Sequence, residues 1–225
     1  MAANRNDVKA PSPPVLYSFR RCPYAMRARM SIASADIRCE LREVVLRDKP
    51  AEMIAISPKA TVPVLQVADA TVIDESFDIM KWALAQRDPE DWLNPENGSL
   101  DEAYALIEST ETQFKPSLDR YKYPDRYTGV SAAEYRTTGC DFIALLEERL
   151  KEMPHLFGRQ ACIADMAIFP FVRQFANTDR DWFEASPYRH TQAWLKKLTA
   201  GSLFDIAMKK YSQWRSGQEA VFFPK

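Results

Sequence analysis

The hydrophobic pattern of this chain changes its period once, and this change limits the possible folds more than any other feature. Before residue 88, short β-type runs occur at 15–19, 42–46, 62–67 and 71–73. Helical patterns separate them, at 23–35, 51–56 and 76–86. Beyond residue 100 the periodic stretches are all helical, at 101–121, 131–151, 162–177, 187–200 and 202–214. The order β-α-β-α-β-β-α predicts a mixed sheet with flanking helices, followed by an all-α region.

A segment rich in turn-forming residues lies where the period changes. Two prolines, two asparagines and a glycine fall between residues 88 and 98, and such clusters are typical of loops between periodic segments. We therefore place an α/β domain at 14–87, a linker at 88–99 and an all-α domain at 100–225. Residues 1–13 are polar and proline-rich, which predicts a disordered tail.

Composition excludes several classes of protein. With 30 Lys and Arg against 31 Asp and Glu, the chain has no net positive field to attract nucleic acid. It lacks both an apolar run of membrane-spanning length and a secretory signal pattern, so a cytoplasmic location is expected. The two histidines, His155 and His190, have no ligand-spaced neighbours, so no metal site is predicted. The four cysteines are too far apart for a CxxC pair and are expected to be reduced.

Cys22 has the sequence context of a reactive thiol. It lies between the predicted strand at 15–19 and a helix that begins at Pro23. A thiol in that turn faces the free N–H groups and the positive end of the helix dipole. Arg20 and Arg21 add positive charge, and both effects lower a thiol pKa. Most cysteines are inert core residues, but this placement favours a nucleophilic thiolate at Cys22.

Several separated motifs occur in an order that resembles a known family. Cys22-Pro-Tyr-Ala25 is followed by Val62-Pro63 and then by Asp74-Glu-Ser76. This arrangement resembles the cytosolic glutathione transferase superfamily, especially cysteine-type members such as the omega class. It is also similar to the two-domain glutaredoxins, whose motif is Cys-Pro-Tyr-Cys. The likeness runs from about residue 16 to residue 82, and the helical second half matches in layout. It implies a thioredoxin-like N-terminal domain, glutathione as cosubstrate and a homodimer.

The resemblance also implies roles for individual residues. Cys22 matches the catalytic cysteine of the omega type. Pro63 matches a cis-proline that leaves the backbone of Val62 able to pair with the cysteinyl part of glutathione. Glu75 and Ser76 match an acidic-then-serine pair that binds the γ-glutamyl end.

Lys49 matches a lysine that reaches the glycyl carboxylate of glutathione in omega-type enzymes. Taken alone, each of these residues also has an ordinary structural interpretation, such as an edge-strand proline, a helix cap or a surface lysine. The glutathione-binding positions that the resemblance implies are Tyr24, Leu46, Lys49, Val62, Pro63, Glu75 and Ser76.

Two departures from the family pattern restrict the chemistry. Ala25 replaces the second cysteine of the glutaredoxin motif, which excludes a dithiol cycle within that motif. Cys162 and Asp165 stand where relatives commonly have a Ser/Thr-x-x-Asp capping box. Cysteine accepts hydrogen bonds more weakly than a hydroxyl, so we expect Cys162 to be a structural residue.

Three functions remain open from the sequence. The leading hypothesis is a thiol transferase or reductase that acts through a mixed disulfide between Cys22 and glutathione. One alternative is conjugation or reductive dehalogenation at an electrophilic carbon, and the other is a non-enzymatic regulatory or scaffold protein. The second substrate is a small electrophile or a mixed disulfide, expected between the domains. The aromatic residues of that region are Tyr104, Phe114, Tyr121, Tyr123 and Tyr127. Aromatic residues at helical spacing are more often core packing than a ligand wall, so none of them is assigned as a contact. The segment 221–225 is expected to fold over the cleft or against a helix.

Overall fold

Among the residues that the structure describes, four strands from the N-terminal part of the chain and one from its C-terminal end form a mixed sheet. The computed structural model describes residues 12–67, 71–129 and 131–224, so residues 1–11 of the predicted disordered tail lie outside the described residues. The strands are β1 (Val15–Ser18), β2 (Cys39–Glu43), β3 (Val64–Gln66), β4 (Val72–Ile73) and β5 (Phe222–Phe223). They lie in the order β4-β3-β1-β2-β5. β1 and β2 are parallel, and the other neighbouring strands are antiparallel.

Three helices accompany the sheet, at the positions that the sequence predicts. They are α1 (Pro23–Ser34), α2 (Ala51–Ile56) and α3 (Ser76–Gln86). α1 buries Ala28 and Ile32, and α3 buries Ile79 and Ala83, in one apolar cluster with β1 and β2. Apolar residues at a spacing of four on each helix form the face that covers the sheet. The predicted mixed sheet with thioredoxin-like connectivity is confirmed.

The remainder of the chain is mainly helical, also as predicted. Its helices are α4 (Leu100–Ser109), α5 (Lys115–Lys122), α6 (Ala132–Leu150), α7 (Ile163–Ala176), α8 (Arg180–Ala185), α9 (Arg189–Thr199) and α10 (Ser202–Ala207). α7 is buried along most of its length and forms the centre of the helical core. None of the helices within the described ranges is long and apolar enough to span a membrane.

The structure corrects several predicted boundaries. The helix at 101–121 is divided by a π-helical turn at Thr110–Phe114, which apolar spacing alone does not distinguish from an α-helix. The strand expected at 42–46 begins three residues earlier, at Cys39. Cys39 and Leu41 alternate inward, Leu41 pairs with Leu16 of β1 and Cys39 pairs with Phe223 of β5. α8 was missed, although Asp179 caps it by accepting a hydrogen bond from the Trp182 N–H at 3.1 Å.

The C-terminal end of the chain differs most from its prediction. The helix expected at 202–214 ends at Ala207, because the chain then returns to the sheet, where the Trp214 N–H donates to the Glu43 carbonyl at 2.9 Å. Phe222 and Phe223 form β5, which pairs with β2. The Phe223 side chain also packs with Ala28 and Ile32 of α1, so of the two expected positions the one against a helix is found, and residues 221–224 do not line the cavity. β5 is the exception to the all-α assignment of residues 100–225. β5 protects an otherwise open edge of the sheet.

The segment at 88–99 contains neither a helix nor a strand, and the proposed domain boundary falls there. It is nevertheless fixed in place by its own side chains. Asp88 accepts hydrogen bonds from the N–H groups of Trp92 and Leu93, at 3.0 and 2.9 Å. The Trp92 side chain is buried in the helical core, so this connection orients the helices relative to the sheet.

Candidate active site

One large cavity brings the sequence-predicted site residues together. Its volume is about 1280 Å³, and it lies between the sheet domain and the face of α5. The predicted residues on its lining are Cys22, Tyr24, Leu46, Lys49, Val62, Pro63, Glu75 and Ser76. Residues from the helical half form the opposite wall, among them Glu111, Lys115 and Asp119. Sequence analysis predicted none of these three, because the wall forms only when the two halves of the chain pack together.

Cys22 occupies the turn that the sequence predicts for it. It is the N-cap of α1, with extended backbone angles, and Pro23 follows in the first helical turn. Its backbone N–H donates to the carbonyl of Phe19 at 2.9 Å. The half-buried thiol donates from Sγ to the carbonyl oxygen of Val62 at 3.7 Å. The sulfur therefore sits at the start of the helix and beside β3.

The structure corrects the predicted ionisation of Cys22. Burial raises the pKa of its thiol, and this effect exceeds the opposing effect of the N–H groups of Ala25 and Tyr24. The cations that lower this pKa are Lys115 and Arg27, whereas the sequence pointed to the two arginines that precede Cys22. The prediction of a thiolate at neutral pH is wrong for the protein without a ligand, because it left out the desolvation of the sulfur.

We expect the alkylation of Cys22 to depend on pH accordingly. Its pKa lies above the ordinary thiol value of 9.0, and only the thiolate reacts with iodoacetamide. The rate should therefore still rise between pH 8 and pH 9, when followed by mass spectrometry of the peptide that contains Cys22. A rate that levels off below pH 8 would show that the helix N–H groups and the nearby cations outweigh burial.

Val62 and Pro63 precede β3 at the edge of the cavity. The peptide bond between them is cis, as the resemblance implies. Val62 is largely buried, and its carbonyl oxygen already accepts the Cys22 thiol proton. A ligand that pairs with the backbone here lies directly beside the sulfur.

Glu75 and Ser76 stand at the beginning of α3, on the same side of the cavity. Glu75 is the N-cap, but its side chain makes no capping hydrogen bond. Its carboxylate instead forms an ion pair with Lys59, which also lines the cavity. Ser76 is buried, and its Oγ accepts a hydrogen bond from Arg27 Nε at 2.9 Å. A hydroxyl that accepts one hydrogen bond retains its own proton for donation to a ligand.

Leu46 and Lys49 come from the segment between β2 and α2. Leu46 is 48% exposed, unusually high for a large aliphatic side chain in this protein. Lys49 is half-buried, and no carboxylate of the described residues lies within 4 Å of its ammonium group. The lysine is therefore available to an anionic ligand.

Arg27 is a buried charge that the sequence analysis missed. Its side chain is only 1% exposed, and the rings of Tyr24, Phe77 and Phe171 lie 5.2 to 5.8 Å from its guanidinium carbon. Besides its bond to Ser76, it forms an ion pair with Glu111 of the π-helical turn. The sequence contains one signal for it, an arginine on the face of α1 that also carries the buried apolar residues. Because charged residues are rarely buried without partners, such an arginine indicates a partner elsewhere in the chain.

Tyr24 completes the floor of the cavity beside Cys22. Its ring packs edge-on against Phe171, with centroids 4.8 Å apart. Burial raises the pKa of Tyr24 to about 12, and the negative charge of Glu111 acts in the same direction. The hydroxyl therefore remains protonated at neutral pH and can act only as a hydrogen-bonding group.

Cys162 is a structural residue, as the sequence predicts. It is buried at the start of α7, and its backbone N–H donates to Asp165 Oδ2 at 2.9 Å. Burial and the charge of Asp165 raise the pKa of its thiol to about 12. This thiol lies outside the cavity and is unreactive at neutral pH.

Comparisons with known proteins agree with this geometry. Residues 16–92 match the family model for the N-terminal domain of glutathione S-transferase. Human glutathione S-transferase omega-2 is 38% identical over 61 residues, which are 27% of this chain and 25% of that protein. Glutaredoxin 2 of Escherichia coli K12 is 32% identical over 94 residues, 37% of this chain and 43% of that protein. The chain thus spans less than half the length of these curated relatives.

The similarity to solved structures extends over most of the chain. A glutathione transferase family member from Pseudomonas fluorescens Pf-5, crystallised with two glutathione molecules bound, has a TM-score of 0.76 to this protein. The alignment covers 90% of this chain and 95% of that one, at 15% sequence identity. The likeness establishes that both halves share the fold.

Proposed function

We propose that this chain is a member of the glutathione S-transferase superfamily and that it is a glutathione-dependent thiol transferase of the cysteine type. The observation that supports this most strongly is the position of the Cys22 sulfur. It lies at the N-terminus of α1, in the same cavity as the cis Val62-Pro63 bond and the Glu75-Ser76 pair. The sequence similarity to an omega-type transferase and to a glutaredoxin points to the same chemistry.

The cavity offers a complementary group to each part of glutathione. The γ-glutamyl ammonium would pair with Glu75, and its carboxylate would accept from Ser76 and the first N–H groups of α3. The cysteinyl backbone would pair with Val62, which brings the glutathione sulfur next to Cys22. The glycyl carboxylate would lie near Lys49. Tyr24 and Leu46 would line the remaining surface.

The proposed reaction is a pair of thiol–disulfide exchanges. The Cys22 thiol loses its proton to solvent, and the thiolate attacks the glutathione sulfur of a mixed disulfide. The substrate thiolate leaves and takes up a proton, while a disulfide forms between Cys22 and glutathione. A second glutathione thiolate attacks that disulfide, releasing oxidised glutathione and the Cys22 thiolate. Lys115 and the N–H groups of Tyr24 and Ala25 stabilise the negative sulfur.

Intact-protein mass spectrometry tests this monothiol cycle. Because Ala25 cannot resolve the disulfide, oxidised glutathione should leave a single glutathionyl adduct on Cys22, and excess reduced glutathione should remove it. The other three thiols are two buried ones and Cys140, which is outside the cavity. Thiol transfer that proceeds without an adduct on Cys22, or an intramolecular disulfide involving it, would contradict the proposal.

A change at Glu75 tests the proposed binding mode. Glu75→Ala should weaken glutathione binding by roughly 1.5 to 3 kcal/mol, the range for hydrogen bonds to charged groups. Isothermal titration calorimetry measures this directly. Asp78→Ala is the matched control, since Asp78 is an exposed acid in the first turn of the same helix and pairs with Lys81. If both variants and the parent protein bind glutathione with equal affinity, Glu75 does not contact glutathione.

Two further properties belong to the proposal. We propose a homodimer, as the superfamily resemblance implies and as two-fold assembly is common. Light scattering that gives the 25.8 kDa mass of a single chain would contradict it.

We also propose that the protein is located in the cytoplasm, because its four cysteines are free thiols and such thiols persist in reducing compartments. Disulfide-bonded protein isolated from its native cells would contradict that location.

A further inference from the structure

The outer part of the cavity, on the helical side, differs in chemistry from the part that would hold glutathione. We propose that four residues of this part bind the second substrate, and that this substrate has an aromatic ring with a carboxylate attached to it. The four residues, here called the tyrosine wall, are Lys122, Tyr123, Arg126 and Tyr127. This inference rests on the proposed function, because it assigns the group that is joined to glutathione in the cavity. All four residues line the cavity.

In the described part of the chain, some charged side chains along α5 form an ion pair and others do not. Lys115, Asp119 and Lys122 are four and three residues apart, so they share one face of the helix, and all three line the cavity. Lys115 forms an ion pair with Asp119. Within the ranges that the structure describes, Lys122 and Arg126 have no carboxylate within 4 Å. Two cations at this end of the wall are therefore left without a counter-ion.

The cavity as a whole has the same imbalance. Its lining includes seven Lys or Arg residues and four Asp or Glu residues, although the whole chain has a net charge of -1. Glutathione has two carboxylates and one ammonium group, so it neutralises only one of the excess cations. A second substrate with a negative charge would reduce the excess further.

The unmatched cations surround an aromatic ring. The ammonium of Lys122 lies 5.1 Å from the centroid of the Tyr123 ring, and the guanidinium carbon of Arg126 lies 4.2 Å from it. Tyr127 follows, 41% exposed, which is high for a large aromatic residue. Aromatic rings pack favourably on one another, beyond the area they bury. Because the Arg126 guanidinium already lies over the Tyr123 ring, a planar substrate ring would pack against the exposed Tyr127, with its carboxylate directed to Lys122 and Arg126.

The length of α5 restricts which position of the substrate ring can carry the carboxylate. Lys115 and Cys22 line the same cavity, and Lys122 is seven residues further along the helix. Seven residues of α-helix rise roughly 10 Å, part of which the long lysine and arginine side chains span. The carboxylate should therefore point away from the sulfur, as in a para-substituted ring.

Binding of two unreactive glutathione thioethers tests this inference. S-(4-carboxybenzyl)glutathione carries the charge, and S-(4-carbamoylbenzyl)glutathione is its neutral analogue of nearly the same shape. Calorimetry at low ionic strength should show the carboxylate binding about three- to tenfold more tightly. The preference should decrease as salt is added. In the double variant Lys122→Gln/Arg126→Gln the two ligands should bind equally.

The controls separate this inference from the function on which it rests. Arg180→Gln changes an exposed arginine outside the cavity and should leave the preference intact. Equal affinity of both thioethers for the parent protein, with glutathione itself still bound, would show that the tyrosine wall does not recognise a carboxylate. A preference that survives in the double variant also overturns it. Failure of both thioethers and of glutathione itself to bind overturns the proposed function together with this inference.

Discussion

Replacing Cys22 by serine should reduce glutathione-dependent thiol transfer to the uncatalysed rate. A serine hydroxyl is not ionised in the accessible pH range and cannot form a disulfide, so both exchange steps are lost. The substitution is nearly isosteric, and the hydroxyl can still donate to the Val62 carbonyl that accepts the thiol. Glutathione binding and folding should therefore persist. A coupled assay with a small mixed disulfide measures the rate, and calorimetry measures binding.

Cys140→Ser is the matched control for this experiment. Cys140 is also half-buried, but it lies on α6 outside the cavity, so its loss should leave the rate unchanged. Residual transfer well above background in Cys22→Ser would mean that another group carries the chemistry. Because burial raises the pKa of the Cys22 thiol, activity of the parent protein should rise from pH 7 to pH 8.5.

The parts of the site that local sequence determines were the parts that could be predicted. The position of Cys22 follows from a strand, a turn and a proline within nine residues. Its pKa does not, because desolvation depends on the walls that distant segments build around it. Lys115, a cation of the helical half that lowers this pKa, is 93 positions away along the chain. Sequence neighbours such as Arg21, which is exposed and stacks on Phe19, were therefore misleading.

The fold shows the same limit. Periodicity located α1 and α3 within one residue, because each helix has an apolar face at regular spacing. β5 has only two residues, Phe222 and Phe223, and its partner strand lies about 180 residues earlier. A strand of that length carries no alternation to detect. Its existence depends on the open edge of β2, which only the folded sheet reveals.

Arg29 connects these distant segments in the core of the protein. Its side chain is fully buried, and burial lowers the pKa of its guanidinium group. It donates to Ser18 Oγ at 2.8 Å and to the carbonyl of Ala207 at 3.0 Å. It also forms an ion pair with the Glu43 carboxylate. One side chain of α1 thereby holds β1, β2 and the end of α10 together.

Arg29→Met should consequently destabilise the protein more than any surface change. It keeps most of the side-chain volume but leaves the buried Glu43 carboxylate without its counter-ion, a loss of about 3 to 5 kcal/mol. Urea denaturation at pH 7 measures the free energy of unfolding. Arg87→Met is the control, since Arg87 forms an exposed ion pair with Asp36 at 3.2 Å. That change should alter the free energy of unfolding by no more than about 0.5 kcal/mol.

A double-mutant cycle with Glu43→Gln distinguishes the loss of the ion pair from a general disturbance of packing. Glu43 also accepts a hydrogen bond from the backbone N–H of Arg20 at 2.8 Å, which glutamine can retain through its carbonyl oxygen. Removing both charges abolishes the unpaired buried carboxylate that Arg29→Met creates. The double variant should therefore be at least about 1 kcal/mol more stable than the sum of the single changes predicts. Additivity within about 0.5 kcal/mol would show that the cost of Arg29→Met comes from lost packing and the bonds to Ser18 and Ala207.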